Sequence, residues 1–113
     1  MANKKMTSLI KEAFQQLYPE KELKYFVSIN YSGKFKPYNA NVRLYKDRLM
    51  FNLSRDWKKI SKEIQIGLVQ ELLAKILRDK RKTMNMELYS LFMKNVHIAI
   101  PKTKTDEILN ESF

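Results

Sequence analysis

The hydrophobic period switches between helix and strand values along this chain, and the switches leave few arrangements open. In residues 22–31 and 42–53 apolar side chains recur at every second position; in residues 63–78 they recur at every third or fourth. A period of two marks a strand with one buried face, and a period near 3.6 marks a helix with an apolar stripe. Strands grouped together between helices, without strand–helix–strand alternation, specify the α+β class with an antiparallel or mixed sheet.

The elements follow from local pattern. Residues 7–18 read as a helix capped by Thr7 or Ser8, with Leu9, Ile10, Ala13, Phe14 and Leu17 as its stripe and Pro19 as its stop. Residues 22–31 read as a strand. Leu23, Tyr25, Val27, Ile29 and Tyr31 point one way; Lys24, Phe26, Ser28 and Asn30 point the other. Ser32-Gly33 reads as a turn, with Gly33 free to take positive φ. Pro37 confines the next segment to an edge or loop before Val42 and Leu44 turn inward and Arg43 and Tyr45 outward. Lys46-Asp47 is a tight turn, and Arg48–Leu53 pairs back with Leu49, Phe51 and Leu53 inside. Ser61 caps the long helix of residues 63–78. Its stripe is Ile64, Leu68, Leu72 and Ile76, with Val69, Leu73 and Leu77 alongside, suited to lying on the sheet. Gly67 inside that helix costs about 1 kcal/mol against Ala, which close packing on the sheet would explain. Asn85 caps a third helix, residues 86–96, with Leu88, Leu91, Phe92 and Val96 inward and Pro101 closing it. The order is α-β-β-β-α-α: a helix, a three-stranded sheet, a long helix on the sheet and a third helix.

Length and composition bound the rest. The chain has 113 residues, 44% apolar, enough for one domain with a modest core. That domain is expected to span residues 1–101. Residues 102–113 read either as a polar tail or as the start of a second copy, because Ile108-Leu109-Asn110-Glu111-Ser112-Phe113 echoes Leu9-Ile10-Lys11-Glu12-Ala13-Phe14. There is no Cys, so no disulfide can form and no thiol can act as nucleophile. Residues 1–6 are polar and basic without an apolar run behind them, and no run is long enough for a membrane span. A cytoplasmic location is the expectation. Gly33 and Gly67 are the only glycines, which excludes a Gly-rich phosphate loop.

The long helix carries Gln70-Glu71-Leu72-Leu73-Ala74. A zinc peptidase helix carries His-Glu-x-x-His there, because i and i+4 share a face and can grip one metal. The element order, the strand Leu49-Met50-Phe51-Asn52-Leu53-Ser54 and the helix Glu63–Ala74 resemble the SprT-like zinc metalloproteases and related small zincin-like domains, over residues 22–78. The resemblance implies the fold and a DNA-linked function. It does not imply the chemistry: Gln70 and Ala74 replace both histidines, only Glu71 matches, and His97 is the only His in the chain. A catalytic zinc needs three protein ligands. Glu71 is a relic of the base or simply a helix-surface residue. No metal, no cofactor and no catalytic activity are expected: the chain reads as a pseudoenzyme.

The charge is the stronger pointer. The chain carries 22 basic and 12 acidic residues, a net +10. Such an excess draws a protein to polyanions, of which nucleic-acid phosphates are the commonest in a cell. The cations concentrate at Lys34, Lys36, Arg43, Lys46, Arg48, Arg55, Lys58, Lys59 and Lys62, opposed only by Asp47 and Asp56, and again at Lys75, Arg78, Lys80, Arg81 and Lys82. Tyr31, Phe35, Tyr38, Tyr45 and Trp57 interleave with the first run, and aromatics stack on unpaired bases. The competing description is a solvated Lys-rich surface with these aromatics in the core. The expected nucleic-acid site is Lys34, Lys36, Arg43, Tyr45, Lys46, Arg48, Arg55, Lys58, Lys59, Arg78, Lys80, Arg81 and Lys82. The expected function is non-catalytic binding of RNA or DNA through the backbone, for example RNA in a ribonucleoprotein such as the ribosome. The alternative is a protein-interaction module that holds a peptide as an added strand in the former peptidase groove.

Overall fold

The computed structural model describes the backbone of residues 3–99 and the side chains of residues 8–96. The elements run α1 (Asn3–Leu17), β1 (Phe26–Ser32), β2 (Ala40–Tyr45), β3 (Arg48–Ser54), a 3-10 turn (Arg55–Lys59), α2 (Lys62–Ile76) and α3 (Met84–Ala99). This is the α+β order expected. Pro101, the segment 102–113 and the His97 side chain lie outside the described residues.

The sheet is mixed, in the order β1-β3-β2. β2 and β3 form the expected antiparallel hairpin, with Val42 opposite Phe51. Lys46 takes φ 56° in its connection, as two-residue hairpin loops demand. β1 does not pair with β2, as a turn at Ser32-Gly33 suggested; it pairs parallel with β3, Ile29 beside Phe51. The centre goes to the strand with the most apolar inner face, Leu49, Phe51 and Leu53, all fully buried. Each such side chain contributes about 1.5–3 kcal/mol by leaving water. The link from β1 to β2 then crosses the C-terminal end of β3. Gly33 keeps negative φ, and the left-handed residue of this link is Tyr38, φ 62°. It follows Pro37 in a turn closed by the Asn39 N–H donating to the Lys36 carbonyl at 3.0 Å. The Tyr38 ring is wedged edge-on against Trp57 and Phe92, which holds the strained backbone.

Among the described residues, the buried apolar side chains form one cluster joining α1, the inner sheet face, α2 and α3. α1 begins at Asn3, four residues before the expected cap, since Lys4, Lys5 and Met6 all favour helix. α2 starts after Ser61, whose hydroxyl makes no capping bond. Its deepest residues are Ile66, Gly67, Leu68, Val69, Gln70, Leu73 and Ala74, while Ile64, Leu72 and Ile76 are half-buried. The expected stripe is thus not the most buried one, because α2 is packed on several sides: sheet, α1 and α3. It ends in a Schellman motif. Asp79 N–H donates to the Ala74 carbonyl at 2.7 Å and Arg78 N–H to the Lys75 carbonyl at 3.3 Å, with Arg78 left-handed at φ 58°.

Gly67 does permit a close approach, but to α3 and not to the sheet. A Cβ there would stand 2.0 Å from the Asn85 carbonyl oxygen and 2.8 Å from Tyr89 Cβ. Thr83, not Asn85, caps α3: its Oγ1 accepts from Met86 N–H at 3.1 Å. Asn85 instead donates its amide to the Glu63 carbonyl at 3.0 Å. α3 turns Met86, Tyr89, Phe92 and Met93 toward the core. Leu88 and Leu91, expected inside, are exposed, because α3 is apolar nearly all round and packing selects its face.

Candidate nucleic-acid interface

Both helices that touch the sheet belong to the layer on its inner face, so its outer face is open. Strand alternation and register give that face in rows. The first row is Phe26, Arg48, Tyr45; the second Ser28, Met50, Arg43; the third Asn30, Asn52, Asn41. Phe26 is 70% exposed and Tyr45 61%. Met50 floors a depression of about 310 Å³ with Phe26, Val27, Ser28 and Arg48. Asn52 Nδ2 donates to Asn41 Oδ1 at 3.1 Å, which sets the two amides in register. None of the three strands contains an Asp or Glu.

Arg43, Tyr45 and Arg48 of the expected site therefore share one surface. Lys46 lies beside them, with Nζ 5.5 Å from the Tyr45 ring centroid. Lys34 and Lys36 sit in the β1–β2 link and Arg55, Lys58 and Lys59 in the 3-10 turn, at the other end of the sheet. The Arg55 guanidinium lies against Gly33; a Cβ on Gly33 would approach its Nη2 to 2.8 Å. Lys58 turns to the inner side, over Tyr31 at 5.2 Å.

The Arg78–Lys82 cluster does not continue the outer face. Arg81 is tied to α1, on the opposite side of the sheet. Its Nη1 donates to the Leu17 carbonyl at 3.1 Å, its guanidinium stacks 4.8 Å from the Tyr18 centroid, and it pairs with Glu20 and Asp79 at 2.5 and 3.7 Å. That contact holds the Glu20 carboxyl below its ordinary value. Asp79 is lowered first by the Arg81 backbone N–H. Beneath them Tyr18 is pushed up to about 12, by burial first and the Asp79 charge second; its buried hydroxyl makes no hydrogen bond of ordinary geometry. Lys82 faces Glu71 at 3.9 Å. Among the described residues these are the only candidate cations in ion pairs.

Three of the five interleaved aromatics, Tyr31, Tyr38 and Trp57, belong to the core or pack against it. Trp57 is fully buried, against Tyr38, Tyr89 and Phe92. Burial also raises Tyr31. Tyr45 is exposed on the outer face, and Phe35, in the β1–β2 link, is half-buried and lies outside the core cluster. Phe26 was outside the basic run, though its outward position in an alternating strand was legible.

Gln70, in the middle of α2, is fully buried. Its Nε2 donates to the Ala13 carbonyl at 3.1 Å and its Oε1 accepts from the Thr83 hydroxyl. One amide thus ties α1 and the α3 cap to α2. Ala74, one turn further along α2, is buried too. Among the described residues no three His, Cys, Asp or Glu side chains cluster as a metal site, and no helix is long and apolar enough to cross a membrane.

Comparison with protein-family models, curated proteins and solved structures finds no match.

Proposed function

We propose that this chain is a non-catalytic nucleic-acid-binding protein that grips phosphates through its open sheet face and the cations around it. One observation carries the reading. The outer face displays Arg43 and Arg48 with no carboxylate on any strand, in a chain of net charge +10. Basic groups left without acidic partners attract polyanions and release counterions on binding. A cytoplasmic ribonucleoprotein such as the ribosome is the setting that suits a small, Lys-rich chain. The scaffold is read as a zincin-like frame, kin to the SprT-like domains, whose metal positions were given over to packing. Purification from native cells without nuclease tests the reading. Nucleic acid should co-purify and be lost on R43E/R48E substitution; wild-type protein free of nucleic acid would contradict it.

A second reading keeps a specific observation. A cleft of about 360 Å³ lies between the entry of β2, at Tyr38, Asn39 and Ala40, and the α2–α3 face at Leu68, Glu71, Leu72 and Tyr89. β2 pairs only with β3, so its other edge can accept a peptide strand. Protein partners captured from nuclease-treated lysate, and lost when proline replaces Ala40, whose N–H points away from β3, would favour this reading.

A further inference from the structure

We propose that the outer sheet face is a stacking platform selective for single-stranded nucleic acid, with Phe26 and Tyr45 as the residues on which bases stack. The inference rests on the reading that the chain binds nucleic acid, and it adds which form is bound and how.

Phe26 and Tyr45 flank Arg48 in one row across the sheet. Strands lie about 4.8 Å apart, so the two aromatics are separated by about 10 Å. Both are far more exposed than folding alone requires, since neither is packed into the core cluster. An aromatic face binds any base that is free of its partner strand; a base inside a duplex presents only its edge. Arg48 between them, with Arg43 in the next row and Lys46 beside Tyr45, supplies charge for the phosphates of the same strand. The third row, Asn30, Asn52 and Asn41, sets amide donors and acceptors where base edges of the next nucleotides fall. The absence of carboxylates from these strands fits a polyanion and fits an acidic protein less well, because the aromatic pair and the amide row match bases.

Fluorescence anisotropy on the full chain tests this. The probes are a labelled pyrimidine-rich oligonucleotide of about a dozen nucleotides and the same sequence as a duplex. Single strand should bind at least about 10-fold more tightly than duplex. F26A and Y45A should each weaken it roughly 5- to 100-fold and leave duplex affinity unchanged, while F26Y and Y45F retain binding. Unchanged thermal melting of F26A and Y45A would show that the fold is intact. Equal affinity for strand and duplex, with both alanine variants neutral, would overturn the platform and leave nucleic-acid binding standing. Binding of neither probe would overturn both. A dimer in sedimentation that F26A/Y45A dissolves would assign the face to a second copy of the chain and overturn the platform as well.

Discussion

Gly67→Ala should destabilise this protein, although glycine to alanine in a helix normally does the reverse. An ordinary helix interior gains about 1 kcal/mol from the change. At position 67 the new Cβ would stand 2.0 Å from the Asn85 carbonyl oxygen and 2.6 Å from its carbon. Normal carbon–oxygen contacts begin near 3.3 Å, so α3 must retreat by about 1.3 Å. Backbone cannot rotate aside as a side-chain tip can. The retreat stretches the Asn85–Glu63 bond, costing about 1 kcal/mol, and overpacking adds about 1–3 kcal/mol. After subtracting the helix gain, the net loss is about 2 kcal/mol, or about 8–16 °C in Tm for a domain of this size. Trp57, the only tryptophan and fully buried, reports unfolding by fluorescence in urea. Gly33→Ala is the control. Its Cβ meets only the end of the Arg55 side chain, which can swing away, so the change should stay within about 0.5 kcal/mol. A G67A protein as stable as wild type would refute the close α2–α3 crossing.

Other perturbations follow from the same contacts. Gln70→Ala should cost about 3 kcal/mol in urea titration, since it removes both helix ties and leaves a cavity; Q70H should lose stability too, without binding stoichiometric zinc in metal analysis. Arg78→Gly should gain about 1 kcal/mol, because glycine takes the left-handed C′ position without strain. Tyr18 titrates near 12 in the folded state against 10 unfolded, so its contribution is whole below pH 10 and lost between pH 10 and 12. Y18F should be at least as stable at neutral pH, with a flatter alkaline limb in denaturation. Glu20 is lowered by Arg81, so its contribution is whole above pH 4.5 and lost as pH falls through its lower folded value; R81A should flatten that acid limb.

The inner faces of the strands were legible, because alternation at Leu49, Phe51 and Leu53 fixes which side is buried. Their neighbours were not. A period of two says nothing about pairing partner, and β1 lies parallel to β3 because its seven-residue link reaches over that strand's end. α1 and α2 were legible from Pro19 and the apolar run, but α3 was not legible by face: Leu88, Leu91, Tyr89, Phe92 and Met93 surround it. Gln70 looked like a missing ligand because sequence shows chemical type and not the buried junction that uses it. For the interface, Arg43, Tyr45 and Arg48 emerged from outward alternation. Arg81 did not reveal that Tyr18, Glu20 and the end of α1 engage it, since those partners are about sixty residues away in the chain. Phe26 carries no charge and stands before the basic run, so nothing but its alternation marks it in the sequence.

Salt dependence tests the electrostatic claim most directly. Titrating the full chain with labelled single-stranded RNA between about 50 and 200 mM salt should lower log K with log salt at a slope near −3, if four or five phosphates are neutralised. That is a loss of roughly 60-fold across the range, and R43A/R48A should make the slope shallower by about 1.4. An affinity that stays flat with salt, or a slope untouched by removing both arginines, would contradict the account.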